Sequence, residues 1–289
     1  MDLRIEDLSK RYPNGVQALD AVSLTIGPGI FGLLGPNGAG KSTLMRTIAT
    51  LQEADRGTVR LGEIDVLRQK DEVRRLLGYL PQEFGMYPKV SAEAMLDHFA
   101  KLKGIADSKQ RRRVVQSLLE QTNLHHVRSK PIGGFSGGMK QRFGIAQALL
   151  GNPKLIIVDE PTAGLDPEER VRFHNLLAEI GENVIVILST HIVSDVSDLC
   201  PAMAVIHEGR VRRTGDPLRL VKDIEGKVHQ RIVDKAELAG VLGSHRVLST
   251  QLVGGRTRLR VFADAAPEGF EAAPPDLEDV YFATIKGYA

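Results

Sequence analysis

Residues 30–43 have the sequence IFGLLGPNGAGKST, and this stretch decides the fold. Its first five residues predict a short buried strand, and apolar residues at helical spacing follow the glycine-rich loop. The spacing G-x-x-x-x-G-K-S between a strand and a helix is typical of a phosphate-binding loop, because glycines let several backbone N–H groups converge at a helix start. Lys41 can reach the β- and γ-phosphates, and Ser42 can ligate Mg²⁺. The residues predicted to hold the phosphates are Gly35, Pro36, Asn37, Gly38, Ala39, Gly40, Lys41, Ser42 and Thr43.

A second stretch, LIIVDE at residues 155–160, predicts a hydrophobic strand that ends in two carboxylates. Ligands of open α/β folds bind at the carboxyl ends of the strands, so both side chains are expected there. Asp159 is placed to hold Mg²⁺. Glu160 faces differently and can polarise a water for attack on the γ-phosphate. Alone, such a pair would be interpreted as an N-cap for the next helix; together with the phosphate loop it indicates catalysis.

The third stretch is FSGGMKQR at residues 135–142. Ser136 can cap the helix that follows, and Gly151 and Pro153 can end it. A Ser-Gly-Gly sequence at a helix start offers an anion a hydroxyl group, two unhindered N–H groups and a positive dipole end. On its own, this stretch is better explained by a simple capped helix.

With these three stretches in order, the chain resembles the ATP-binding subunit of an ABC transporter. GPNGAGKST resembles the Walker A loop of that family, LIIVDE its Walker B strand and FSGGMKQR its signature sequence, over about residues 1–220. Gln82 matches the Q-loop glutamine, Asp166 the D-loop aspartate and His191 the switch histidine. Tyr12 is in place for the aromatic residue that stacks on adenine. The departures are Phe135, where the family has leucine, and a Gln two positions later than in the strict consensus.

The resemblance implies that two such subunits stack head to tail with ATP and Mg²⁺ between them. Ser136, Gly137 and Gly138 of one subunit would cover the nucleotide on the phosphate loop of the other. Glu160 would be the general base and His191 would hold the γ-phosphate. Gln82 would contact Mg²⁺ or the attacking water. ATP binding would close the dimer and hydrolysis would open it.

The composition is that of a folded globular protein, with 42% hydrophobic and 26% charged residues among 289. A net charge of +2 gives no strong field, so no nucleic-acid partner is expected. The single cysteine, Cys200, excludes an internal disulfide framework and fits a reducing compartment. The longest apolar run, residues 199–206, is shorter than the roughly 18 residues of a membrane span, and the N-terminus has no signal-peptide core. These features predict a cytoplasmic protein.

The predicted architecture is an α/β P-loop ABC ATPase core with an N-terminal antiparallel β subdomain. Residues 1–220 would form the nucleotide-binding domain, with a helical insertion at about residues 84–150. Its first helix would begin after Ser91 and bury Met95, Leu96, Phe99 and Leu102 on one face. Residues 221–289 would form a small accessory α+β appendage.

The expected partners are a separate polytopic permease and a second ATP-binding subunit, with a homodimer as the expected form. Residues 83–88 are the expected permease dock, which would hold the chain on the inner face of the cell membrane. The C-terminal sequence LEDVYF, at residues 277–282, resembles the tail of drug- and lipid-exporter ATPases and favours export. The alternatives are a soluble ABC ATPase acting on ribosomes or nucleic acid, a kinase, and a cassette that binds ATP without turnover.

Overall fold

The computed structural model describes residues 1–82, 85–234 and 237–289. The strands, in chain order, are β1 (Leu3–Arg11), β2 (Gln17–Ile26), β3 (Gly29–Leu34), β4 (Arg56–Leu61), β5 (Ile64–Asp65), β6 (Leu77–Leu80), β7 (Leu155–Asp159), β8 (Ile185–Thr190), β9 (Ala202–His207), β10 (Arg210–Gly215), β11 (Val228–Val233), β12 (Val247–Val253), β13 (Arg256–Phe262) and β14 (Glu271–Ala272). The helices are α1 (Lys41–Ile48), α2 (Lys70–Leu76), α3 (Ala92–Leu102), α4 (Ser108–Gln121), α5 (Gly137–Ala148), α6 (Pro167–Gly181), α7 (Val193–Leu199), α8 (Pro217–Lys222), α9 (Leu238–Ser244) and α10 (Leu277–Ile285). In these described ranges, no helix combines the length and the apolar character that crossing a bilayer requires.

A six-stranded sheet in the order β10-β9-β3-β8-β7-β6 forms the centre of the molecule. Its neighbours are parallel except for the antiparallel pair of β10 and β9. β7 and β8 are buried along their whole length, which explains their nearly continuous apolar sequences. Leu34 pairs with Thr190, and Asp159 pairs with Ser189, so β3, β7 and β8 end at the same edge. The predicted α/β fold is confirmed.

The N-terminal strands form a separate antiparallel sheet in the order β2-β1-β4-β5. Leu3 and Ile5 of β1 are buried, and the residue between them is exposed, as the alternating sequence predicts. The pairing with β2 shifts register near Asp7, whose φ is 48°. The buried face joins one hydrophobic cluster with Met45 of α1 and Ile157 of β7. This packing fixes α1, and with it the phosphate loop, between the two sheets.

The helices α3, α4 and α5 form a layer with a hydrophobic cluster of its own. The side chain of Ser91 caps α3 by accepting a first-turn backbone N–H, as predicted. Met95 and Leu96 are buried, and Phe99 is partly buried. Leu102 is 71% exposed, so its predicted burial is wrong. It is the last residue of α3, and it borders a groove instead of the cluster.

The C-terminal region contains an antiparallel sheet in the order β12-β13-β11-β14, together with α9 and α10. The predicted small α+β appendage is therefore present. α10 packs against α7 and α8, and Val280 belongs to the same hydrophobic cluster as Cys200 and Leu220. Burial raises the pKa of the Cys200 thiol to about 12, which keeps it protonated and unreactive. The domain boundary expected at residue 220 falls within α8 and stays a prediction.

Candidate functional site

The loop between β3 and α1 has glycine where a side chain would meet the backbone of a neighbouring strand. A Cβ on Gly35 would lie 2.4 Å from a carbonyl oxygen of β9, and one on Gly40 would lie 2.4 Å from a carbonyl oxygen of β2. Gly38 and Gly40 also have φ values of 80° and 106°. α1 begins at Lys41 without a side-chain cap, so its first N–H groups are available to an anionic ligand.

Lys41 folds back into this loop. Its Nζ donates to the carbonyl oxygens of Gly35 at 2.6 Å and Pro36 at 3.2 Å, and lies 3.7 Å from Oε1 of Glu160. Burial lowers the pKa of Lys41, and the charges of Glu160 and Asp159 act in the opposite direction. A phosphate oxygen is a stronger acceptor than a carbonyl because it is charged, so a bound phosphate can displace these loop contacts.

The carboxylate of Glu160 lies close to the other three predicted catalytic residues. Its Oε2 is 3.1 Å from Nδ1 of His191 and 3.5 Å from the amide nitrogen of Gln82, while Oε1 faces Lys41. Its backbone N–H donates to the carbonyl oxygen of Ser189 at 2.8 Å. Its φ of 49° places a non-glycine residue in the left-handed region, and strain of this kind concentrates at functional sites.

Asp159 lies beside this cluster at the end of β7. It is buried, and its Oδ1 has no hydrogen-bond partner among the described residues. Burial raises the pKa of Asp159, and the nearby charge of Glu160 adds to the effect. The hydroxyl groups of Ser189 and Ser42 and the charge of Lys41 act in the opposite direction. A buried carboxylate oxygen without a partner fits a divalent cation, which would supply the missing charge and ligand.

Tyr12 follows β1 and lies against the start of α1. Its hydroxyl group is 3.1 Å from Oγ1 of Thr43 and donates to Oε1 of Gln52 at 3.0 Å. These contacts hold Tyr12 next to the phosphate loop, and its stacking on adenine stays a prediction. The hydroxyl group of Thr43 is engaged by Tyr12, whereas Ser42 is exposed at the mouth of the loop.

The remaining predicted nucleotide-binding residues lie at the starts of α5 and α6. Ser136 caps α5 by accepting a backbone N–H at 3.2 Å, and Asp166 caps α6 by accepting the N–H of Glu169 at 2.9 Å. Ser136, Gly137 and Asp166 are exposed. Gly138 is buried, and a Cβ there would lie 2.2 Å from Oε2 of Glu169. In the described parts of the chain, no hydrogen bond or ion pair joins this group to the phosphate loop.

Two features of the site escaped the sequence patterns. Arg142 of α5 and Glu169 of α6 form a largely buried ion pair at 3.3 Å. Asp195, in the first turn of α7, is fully buried and accepts hydrogen bonds from Thr162 and Thr190. An acidic residue in the first turn of a helix is common because it complements the helix dipole, so no local pattern distinguishes Asp195 from other such residues.

The fold and the geometry define a P-loop ATPase core, with a phosphate loop and two carboxylates at the same edge of a parallel sheet. Residues 19–163 match the family model for the ABC transporter domain. The chain belongs to the ABC transporter family and is an ATPase of that class.

Curated relatives agree with this assignment. The chain is 33% identical over 303 residues to the uncharacterized ABC transporter ATP-binding protein YxlF of Bacillus subtilis (strain 168), covering 98% of this chain and 99% of the relative. It is 36% identical to the bacitracin transport ATP-binding protein BcrA of Bacillus licheniformis, covering 72% and 68%. It is 33% identical to the probable multidrug ABC transporter ATP-binding protein YbhF of Escherichia coli (strain K12), where it covers 78% of this chain but 39% of the relative.

Solved structures of similar fold also support the assignment to the ABC transporter family. A dimeric ATP-binding cassette in a post-hydrolysis state bound to ADP and Pi aligns with a TM-score of 0.67 and 27% identity, covering 74% of this chain and 98% of that one. An ATP-binding subunit of an ABC transporter aligns with a TM-score of 0.68 and 28% identity, covering 77% and 93%. The relatives named above are ATP-binding proteins of transporters, so the alternative of an ATPase on ribosomes or nucleic acid is not favoured.

Proposed function

We propose that this chain hydrolyses ATP with Mg²⁺ and that the hydrolysis powers a separate membrane permease that exports its substrate. The observation that carries the proposal is the meeting of Lys41, Gln82 and His191 on the carboxylate of Glu160, with contacts of 3.1 to 3.7 Å. That cluster lies at the mouth of a loop whose backbone is shaped for phosphate. The name of another relative, the Nod factor export ATP-binding protein I of Burkholderia thailandensis, which is 34% identical over 219 residues, supports export.

Glu160 is the proposed general base. A water molecule between its carboxylate and the γ-phosphate would give a proton to Glu160 as the water oxygen bonds to phosphorus. The bond between the γ-phosphorus and the bridging oxygen would break, and ADP would leave with that oxygen. Lys41 would balance the charge on the β- and γ-phosphates. His191, already 3.1 Å from Glu160, would orient the carboxylate and hold the γ-phosphate.

The acidic end of the site is the proposed Mg²⁺ position. Asp159 offers a buried, unpaired carboxylate oxygen among the described residues, and Ser42 offers an exposed hydroxyl group. Gln82 is the third proposed ligand. Oxygen donors of this kind suit Mg²⁺, which would supply positive charge to the phosphates when bound.

A second copy of the chain is the proposed partner at the nucleotide. Ser136, Gly137 and Asp166 are exposed, and no hydrogen bond among the described residues connects them with the phosphate loop. A helix start with a hydroxyl group and glycine N–H groups is suited to bind phosphate. This group would therefore bind the nucleotide held by the other copy. The dimeric cassette among the similar structures supports this arrangement.

A groove of about 420 Å³ between β6 and the helical layer is the proposed site for the permease. Leu51 and Leu102 both line it and are 63% and 71% exposed, so the groove brings two exposed large apolar side chains together, as interaction sites often do. A cytoplasmic segment of the permease would cover them and hold the chain on the inner face of the membrane. The docking segment predicted from the sequence begins shortly after β6. Its Glu83 and Phe84 lie outside the described residues, and Tyr87 is 69% exposed.

Substitution of the proposed base tests the ATPase mechanism. Glu160→Gln should bind ATP as tightly as the unchanged chain and lose turnover by about 100-fold or more, because the amide cannot accept the proton. Glu63→Gln, at an exposed position, is the matched control and should change neither quantity. Turnover that survives in Glu160→Gln would show that another group is the base.

Purification of the tagged chain from detergent-solubilised native membranes tests the permease. The expected result is a polytopic membrane protein at equal stoichiometry with the chain. Leu51→Asp and Leu102→Asp should each release it, because a charge in the apolar groove removes the favourable burial. Recovery with ribosomal proteins or DNA instead would contradict the proposed partner.

A further inference from the structure

Asp195 has a fully buried carboxylate that does not cap its own helix. Its Oδ2 accepts hydrogen bonds from the hydroxyl groups of Thr162 at 2.6 Å and Thr190 at 3.2 Å. Its Oδ1 accepts from Nε of Arg170 at 2.9 Å and lies 3.1 Å from Nε2 of His174. Both oxygens are thus occupied by side chains from other segments of the fold, which satisfies a charge that would otherwise be costly to bury.

Two of these contacts end on the loops that carry Glu160 and His191. Thr162 lies two residues after Glu160, and Thr190 lies directly before His191. The Thr190 hydroxyl group donates to Asp195 and also accepts the N–H of the residue after His191, at 3.0 Å. The turn at His191 is therefore fixed on both sides by one hydroxyl group, and that group is held by Asp195.

The third contact reaches the helix that begins after Asp166. Arg170 lies in the first turns of α6, and its backbone N–H donates to the carbonyl oxygen of Asp166 at 3.0 Å. Its guanidinium group pairs with Asp195 and also donates to Oγ of Ser194 at 2.6 Å. One carboxylate thereby connects the loop after β7, the end of β8 and the start of α6.

We propose that Asp195 is a positioning residue for ATP hydrolysis, which sets the distance between Glu160 and His191 and ties both to the start of α6. This inference rests on the proposed roles of Glu160 and His191. Asp195 touches neither residue, and it acts through Thr162 and Thr190. A misplacement of about 1 Å in a reacting group can cost about 100-fold in rate, so the loss of this connection should appear in turnover.

A second buried pair of an aspartate and an arginine offers a structural control for Asp195 and Arg170. Asp279 is also buried and is paired with Arg260, at 2.8 Å between Oδ1 and Nε, but it lies in the C-terminal region. Its carboxylate binds groups of its own region, including the backbone N–H of Asp276. Both pairs bury an aspartate against an arginine, so the loss of either should destabilise the fold, whereas only Asp195 should affect catalysis.

The first experiment compares Asp195→Asn with Asp279→Asn in the full chain, at a temperature well below both unfolding midpoints. Asp195→Asn should lower kcat for ATP by about tenfold or more, with KM within about threefold, because the phosphate loop is untouched. Asp279→Asn should lower Tm and leave kcat unchanged. Thr190→Val, which removes the hydroxyl group at similar volume, should reproduce the kcat loss if Asp195→Asn folds poorly. Equal kcat in the Asp195→Asn, Thr190→Val and unchanged chains would overturn the inference.

A double substitution separates this inference from the proposed function. In a His191→Ala background, Asp195→Asn should lower the residual kcat by less than about threefold, because the residue positioned through Thr190 is gone and only the connection to Glu160 through Thr162 remains. An undiminished tenfold loss in that background would overturn positioning through His191. If Glu160→Gln and His191→Ala themselves leave turnover unchanged, the proposed function fails instead. If both lower turnover strongly and Asp195→Asn does not lower it, only the present inference fails.

Discussion

At the scale of single residues, the buried carboxylate of Asp159 destabilises the folded state when it is ionised. Burial raises its pKa above the ordinary 3.8, with a further contribution from Glu160. A carboxyl group with a raised pKa holds its proton more tightly in the folded state. It therefore favours folding below pH 3.8 and loses that contribution as the pH rises through the folded pKa. Near neutral pH the ionised group therefore destabilises the fold, and its proposed role in holding Mg²⁺ would account for its presence.

Asp159→Asn should therefore stabilise the nucleotide-free chain while it removes activity. We expect the unfolding midpoint near neutral pH to rise by roughly 2–4 °C, because a neutral amide avoids the burial of the charge. The advantage should shrink at acidic pH, where Asp159 itself becomes protonated. Mg²⁺-dependent turnover should fall by about 100-fold or more. Thermal unfolding by circular dichroism and a phosphate-release assay measure the two effects.

The control for this prediction is Asp71→Asn, at an aspartate of α2 that is 88% exposed. It should leave both the midpoint and the turnover unchanged. A midpoint for Asp159→Asn below that of the unchanged chain would show that Asp159 stabilises the fold even without a bound cation. In that case the burial of the ionised carboxylate would not destabilise the fold as we infer.

At the scale of helices and strands, the parts that carry local patterns were predictable from the sequence. The strand before the glycines, the strand ending at Asp159, and the helix starts after Ser91 and Ser136 agree with the structure. Each depends on residues adjacent in sequence, through periodicity, capping or a glycine that accommodates a close approach.

The parts that depend on distant segments were not predictable. The burial of Asp195 depends on donors from α6, from the loop after β7 and from the end of β8. The left-handed backbone of Glu160 is held by a hydrogen bond to Ser189 on the neighbouring strand. Leu102 has the helical spacing of a core residue, but the helix ends there and a groove begins. No local pattern encodes these contacts.

The packing of α10 makes a prediction at this scale about Leu277, its first residue. Leu277 is buried in the hydrophobic cluster that also contains Val196 and Leu220. Leu277→Ala should lower the free energy of unfolding by roughly 2–5 kcal/mol, because it opens a cavity in that cluster. Since the cluster is shared with the ATPase core, we expect one cooperative transition at a lower temperature, seen alike by circular dichroism and tyrosine fluorescence.

Leu252→Ala, on β12, is the matched control because this leucine is 73% exposed. It should leave the transition unchanged. Two separate transitions in Leu277→Ala, with the upper one at the midpoint of the unchanged chain, would contradict a shared core. The C-terminal region would then be an independent unit, and α10 would contribute nothing to the stability of the ATPase core.

At the scale of the whole molecule, the residues assigned to ATP fall into two groups. One surrounds Glu160 at the edge of the central sheet, and the other lies at the starts of α5 and α6. In the second group, α5 and α6 are joined through Glu169. Its side chain lies close to Gly138 and forms an ion pair with Arg142. In a two-fold symmetric dimer each chain contributes each group once, so two copies form two complete sites.

Mixing two inactive variants tests this composite site. Lys41→Ala should lose ATP binding on the phosphate loop, and Ser136→Glu should lose turnover, because its carboxylate would face the γ-phosphate across the dimer. A mixed dimer has one site with both unchanged groups and one with both substitutions. Random pairing makes half of the dimers mixed, so an equimolar mixture should recover about a quarter of the activity of the unchanged chain if the two sites act independently.

Two controls accompany this mixing experiment. Each variant alone should remain inactive, and so should either variant mixed with a chain that carries both substitutions. No recovery on mixing would contradict a site shared between two chains, and full activity of Ser136→Glu alone would mean that the start of α5 has no part in binding ATP.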